Sequence, residues 1–191
     1  MNMKNICLLL ILAAMLSMNA CSGKDAPPLS SSSQNTQEAK ARNSLEALYA
    51  SSLQAQELRE RSVAVLVFPD VLRAGFILGG SGGNGVLFSP AGRVMGYYNV
   101  ADVSFGLQAG VQSFDQALFF TTAEALGYLD SSAGWSVGVG PTVVVVNEGA
   151  GKDISTTTAR ADVYAFIYGQ GGLMAGIGVQ GQKITKLRPV R

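Results

Sequence analysis

Of the 23 glycines in this 191-residue chain, only Gly23 precedes Gly75. Beyond that point glycine recurs on alternate positions of apolar runs, as in "DVSFGLQAGVQSF", "WSVGVGPTVVVV" and "GIGVQG". A glycine inside a strand loses more backbone freedom than other residues and offers its neighbours nothing to pack against. Its return at a period of two therefore needs a physical reason. Tight curvature, or the close approach of another layer, supplies one. The expected fold is α+β: a strongly curved, glycine-rich antiparallel sheet or small barrel, packed with an N-terminal helix and one internal helix.

Helix comes first. From Glu38 to Arg61, Leu45, Leu48, Tyr49 and Leu53 recur at helical spacing and are predicted to face the core. "VAVLVF", Val63 to Phe68, is β-branched and apolar, so it reads as a buried strand that Pro69 ends. "GFIL" and "GVLF" flank a glycine loop, and "SPAG", Ser89 to Gly92, marks a turn before "RVMGYY". In "DVSFGLQAGVQSF", Val103, Phe105, Leu107, Ala109 and Val111 face one way, and Ser104, Gly106, Gln108, Gly110 and Gln112 the other. A capping box over Thr121 to Glu124 predicts the internal helix, with Ala125, Leu126 and Leu129 behind it.

The N-terminus carries a different signal. Lys4 precedes the unbroken apolar run Ile6 to Leu16, which is too short to span a bilayer but suits a signal-peptide core. Ala20 then stands directly before Cys21, as in a bacterial lipobox, although Met18 and Asn19 depart from the usual residues. Acylation of Cys21 is the expectation, with ordinary secretion and simple cleavage as the alternative. Cys21 is the only cysteine after the signal, so the exported chain forms no internal disulfide and depends on its core. The expected organisation is a signal peptide over 1–20, a lipidated flexible stalk over 21–37 and a single domain over 38–191.

The glycine loop contains a G-x-G-x-x-G at Gly80, Gly82 and Gly85. A dinucleotide fingerprint requires a helix to open after it, whereas "VLFSPAGRVMGYY" predicts strand and turn. The glycines are read instead as a hairpin connection requiring positive φ. "NEGAGKD" resembles the end of a P-loop, but Val146 stands where glycine is required and no Ser or Thr follows Lys152. The chain has no histidine, hence no imidazole base or ligand. Asp102, Asp115, Asp130 and Asp162 fall near predicted strand ends, where acids usually form turns. A carboxylate pair for glycoside hydrolysis is disfavoured, and the hydroxyls of "STTTAR", Ser155 to Arg160, single out no ligand.

Without Lys4, the 14 basic residues become 13 against 13 acidic ones, so no global field attracts nucleic acid or an anionic membrane. From Gly75 to Gln182 the basic residues are Arg93, Lys152 and Arg160, against seven acids, while Lys183, Lys186, Arg188 and Arg191 close the chain.

Four blocks, in order, resemble the SYLF family of lipid-binding domains: "AVLVFPDVLRAGFILGGSGGNGVL", "SFGLQAGVQSFDQALFF", "GWSVGVGP" and "DVYAFIYGQGGLMAGIGVQG". The resemblance covers roughly Ser44 to Lys186. It implies a glycine-rich β domain with helices and no catalytic centre, no cofactor, and binding of membrane lipid. The family's K-A-G-F lysine is Arg73 here. The expected protein is a non-enzymatic envelope lipoprotein, anchored through Cys21, whose domain contacts lipid or a membrane surface. The analogy of Ser22 after the cysteine suggests the outer membrane, facing the periplasm. The alternative is a structural or protein-interaction module with an envelope protein as partner. Arg59, Arg61, Arg73, Lys183, Lys186 and Arg188 are the expected contacts to lipid headgroups.

Overall fold

The computed structural model describes residues 30–75, 78–105, 110–131, 133–147, 161–172 and 181–188. Cys21, Lys152 and the Ser155–Arg160 run lie outside them. Two helices come first, α1 (Ser31–Ser51) and α2 (Leu53–Arg61). They are followed by β1 (Ala64–Gly75), β2 (Leu78–Phe88), β3 (Val94–Phe105) and β4 (Gly110–Phe120). A short helix α3 (Ala123–Gly127) runs into a 3-10 turn, Tyr128–Asp130. The chain continues with β5 (Trp135–Ser136), β6 (Val143–Asn147), β7 (Val163–Gly172) and β8 (Lys183–Leu187). No described helix is long and apolar enough to cross a membrane.

The eight strands form one sheet in the order β5-β8-β3-β2-β1-β4-β7-β6. Every pair is antiparallel except β6 with β7, so the expected antiparallel sheet is mixed at one edge. The sheet is strongly curled. Phe120 on β4 and Trp135 on β5 lie five strands apart, which in a flat sheet would be about 24 Å. Their ring centroids are 5.9 Å apart. The face carrying both rings is therefore concave, and the sheet closes over it as a half-barrel. Leu66, Phe68, Leu118, Val163 and Ala165 fill this concavity together with Ala125 of α3 and Leu129. On the convex face, Val65, Val67, Ala117, Phe119 and Phe166 pack under Ala41, Leu48, Ala55 and Leu58 of the two helices.

Several local readings are corrected by the structure. The N-terminal helix starts at Ser31 rather than Glu38, because Ser30 caps it: its hydroxyl accepts from the Ser33 amide at 3.3 Å. The helical run also breaks at Ser52, whose backbone is extended and whose side chain caps α2. The break rotates Leu53 out of the predicted stripe, leaving it 76% exposed. Pro69 does not end the first strand. β1 continues to Gly75 through a bulge between Phe68 and Val71, where Asp70 takes φ 53°. The capping residue of α3 is Thr122, while Thr121 bonds to the carbonyls of Ala161 and Asp162.

The glycine loop is not a loop. Gly79 to Gly85 lie within β2, paired on both sides, and none has a positive φ. A β-carbon at Gly85 would sit 2.4 Å from the Phe68 ring and 2.7 Å from the Val67 carbonyl. One at Gly83 would sit 3.1 Å from Val71. Glycine here lets the bulged part of the neighbouring strand β1 approach closely. A phosphate cradle has no helix to support it, since β2 leads into a turn and β3.

Candidate functional site

On the helix side, a cleft of about 350 Å³ lies between α1, α2 and the Ser89–Gly92 turn. Two arginines flank it. The Arg42 guanidinium stacks 4.8 Å above the Phe88 ring, and that of Arg59 lies 5.1 Å from the Tyr49 ring centroid. Stacking holds a guanidinium by its face and leaves its N–H edge free to donate. Neither arginine forms an ion pair with a described residue. Glu46 also lines the cleft, and Leu45, Tyr49, Val65 and Phe88 make its floor apolar. Burial pushes the Tyr49 hydroxyl above its ordinary pKa, with nearby Arg59 pulling the other way. A site with two planar cations over an apolar floor fits an anionic group carried on an apolar body.

The helix that supplies Arg42 is fixed by polar ties. Ser44 donates to Asp115 Oδ2 at 2.6 Å, and since that uses its only proton, the Tyr168 hydroxyl 2.7 Å away donates to Ser44. Asp115 Oδ1 also accepts from the bulge amide of Asp70 at 2.9 Å. Nearer the start of α1, the Tyr97 hydroxyl donates to Glu38. Burial, reinforced by this bond, pushes the Tyr97 pKa up to about 12.

The concave face holds a second polar feature. Asp102, Ser81, Arg73 and Gln112 are successive register partners across β3, β2, β1 and β4. Arg73 reaches past Ser81 to Asp102, with Nη2 to Oδ2 at 2.9 Å and both side chains about nine-tenths buried. Farther along, Gln116 donates to Gln182 at 2.9 Å, both wholly buried. Arg73 Nε, Ser81 Oγ, Gln112 Oε1, Gln116 Oε1 and Gln182 Nε2 are buried without a partner among the described residues. Each such atom costs about 1–3 kcal/mol, so five together would rival a typical total stability of roughly 5–15 kcal/mol.

The six headgroup candidates separate into different surroundings. Arg59 flanks the cleft, and Arg61 follows it, exposed, at the end of α2. Arg73 is inside the concavity. Lys183 donates to Gly134 O at 3.2 Å and Ser136 Oγ at 3.4 Å. Lys186 pairs with Asp130 at 2.7 Å, a hydrogen bond that raises its pKa, and its ammonium lies 6.0 Å from the Tyr98 ring centroid. Arg188 is exposed just beyond β8. The four singled-out aspartates each have a separate structural partner: Asp102 holds Arg73, Asp115 holds Ser44, Asp130 holds Lys186, and Asp162 accepts from the Thr142 amide at 2.9 Å. No cluster of His, Cys, Asp or Glu among the described residues is arranged to hold a metal. Arg42 was missed by sequence reasoning, although it stands three and seven residues before Leu45 and Tyr49 and so shares their helical face.

Residues 101–189 match the family model Ysc84, described as Las17-binding protein actin regulator. No curated protein matches the chain. The matched segment begins in β3 and ends just past β8, so it takes in both flanks of the sheet, β5-β8 and β4-β7-β6, and the internal helix, while β1 and β2 between them lie outside it. Over residues 101–189, just under half of its length, the chain is thus similar to the Ysc84 (SYLF) family.

Proposed function

We propose that this domain is a non-enzymatic binding module that docks on a membrane surface, taking an anionic lipid headgroup in the cleft between Arg42 and Arg59. The observation carrying this reading is the pair of ring-stacked guanidinium groups over one apolar floor. A phosphate diester bound there accepts hydrogen bonds from the two N–H edges. The apolar part of the amphiphile lies against Leu45 and Phe88. Tethering through acylated Cys21, with the domain held near an outer-membrane leaflet in the periplasm, completes the proposal. Tethering raises the effective concentration of lipid at the cleft, so a weak site suffices.

The test is flotation with vesicles of zwitterionic lipid, with and without an added anionic lipid, using the chain carrying Cys21→Ser so that no acyl group contributes. Binding that rises with anionic lipid and falls with salt supports the reading. Flotation indifferent to both rejects it.

A second reading, a protein-interaction module, rests on a different surface. Leu72, Val103 and Val111 are 53%, 69% and 61% exposed. Ala74 pairs with both Gly80 and Val111, and Gly80 pairs with Val103, so this is an uncharged row across four strands. Recovery of a stoichiometric protein partner, lost on Val103→Asp and with no retention of lipid, favours this reading over the first.

A further inference from the structure

We propose that the cleft between α1 and α2 takes an amino-phospholipid, with its phosphate on Arg42 and Arg59 and its primary ammonium on Glu46. This rests on the lipid reading above and narrows it to one class of headgroup. Arg42, Leu45, Glu46 and Tyr49 follow one another at three- and four-residue steps along α1, so they share the helical face that walls the cleft. Glu46 is exposed and, like the two arginines, forms no ion pair with a described residue. Arg42 stands four residues before it, at a spacing where opposite charges on a helix commonly meet. Here the Arg42 guanidinium lies over Phe88 instead, 4.8 Å from the ring centroid, and that of Arg59 lies 5.1 Å from the Tyr49 centroid. The rest of the lining is uncharged, so two positive groups against one negative leave the cleft with a net charge of +1.

A head that is anionic throughout would satisfy the arginines but set its charge beside the Glu46 carboxylate. A quaternary ammonium would have no N–H to give that carboxylate. A primary ammonium has three donors, and its bond to a carboxylate is charge-assisted. Arg42 and Glu46 are separated by about 6 Å along the helix axis. A phosphate ester joined to an ammonium through two carbons spans a similar distance. The apolar floor of Leu45 and Phe88 selects the lipid over its free headgroup, which has nothing to lay against it.

The experiment is flotation of the full chain carrying Cys21→Ser, with and without Glu46→Gln, on choline-lipid vesicles. These contain equal fractions of either phosphatidylserine or phosphatidylglycerol. Both lipids carry one net negative charge, so attraction to the surface is matched. Only the serine head adds a primary ammonium, and its carboxylate has the second guanidinium available. Glu46 is exposed and glutamine has nearly the helix propensity of glutamate, so the variant keeps the fold. The parent should bind serine vesicles roughly two- to fivefold more tightly than glycerol vesicles. Glu46→Gln should abolish that preference and, by removing a like charge, strengthen binding to glycerol vesicles. Equal binding of the two vesicles by the parent, or an undiminished preference in Glu46→Gln, overturns this proposal alone. Binding to neither overturns the headgroup site with it. Release from serine vesicles by soluble glycerophosphoserine at the same headgroup concentration would assign the free head and overturn the lipid as guest.

Discussion

At Gly85 an added methyl group would collide with the Phe68 ring and with the backbone carbonyl of Val67, while at Gly82 the nearest atom would be 3.7 Å away. The two glycines sit three residues apart in one strand, both without a positive φ. We expect Gly85→Ala to cost about 2 kcal/mol or more by overpacking. Gly82→Ala should be neutral or stabilising by up to about 1 kcal/mol, since only chain entropy changes. Urea denaturation midpoints would separate the two. The ion pair beneath the concave surface behaves differently. Asp102→Ala leaves the Arg73 charge buried and unpaired, which should cost about 3–5 kcal/mol. Replacing both partners, as Arg73→Met with Asp102→Leu, should recover most of that. At this scale the sequence was half legible. In "WSVGVGP" the alternate glycines Gly138 and Gly140 lie in a turn at φ 98° and 87° and not in a strand, while the close approaches to Val71 and Phe68 fall at Gly83 and Gly85, in the segment read as a hairpin connection, because they depend on a cross-strand register that local pattern does not contain.

Among the elements, α1 depends most on single polar contacts. Its hydrogen bond from Tyr97 to Glu38 is made only by the neutral phenol. Because the folded protein holds Tyr97 neutral up to about 12, against 10.0 in the unfolded chain, its contribution is intact below pH 10.0 and is lost as pH rises toward 12. Wild type should exceed Tyr97→Phe in stability by about 1–2 kcal/mol at neutral pH. Thermal midpoints measured across alkaline pH should show that difference vanish. Tyr49 and Tyr98 are also raised by burial, so both proteins will lose stability there, and the difference between them isolates Tyr97. The helix and the first strand were readable from periodicity and β-branching. Their interruptions were not. Ser52 breaks the helix by capping the next one, and the Pro69–Asp70 bulge is tied down by Asp115, a residue 45 positions away.

Taken whole, the molecule is a curled sheet with two unlike faces. The convex face is covered by helices that carry the arginine cleft, and the concave face is apolar at one end and polar at the other. The fold class was legible because glycine-rich, β-branched apolar runs follow a glycine-free helical segment, which leaves few alternatives to a bent sheet with a helix against it. The site was less so. Charge counting along the chain selected six basic residues, but the fold buries Arg73, ties Lys183 and Lys186 to local acceptors, and sets Arg59 in one cleft with Arg42. That partnership arises only when α2 folds back beside α1. Vesicle flotation of the Cys21→Ser chain, compared with the same chain carrying Arg42→Gln and Arg59→Gln, tests it most directly. At about 1 kcal/mol per arginine near an anionic surface, the double variant should bind anionic vesicles roughly tenfold or more weakly, with Arg61→Gln and Arg188→Gln changing little. Flotation of the Arg42/Arg59 double variant equal to that of its parent would contradict the account.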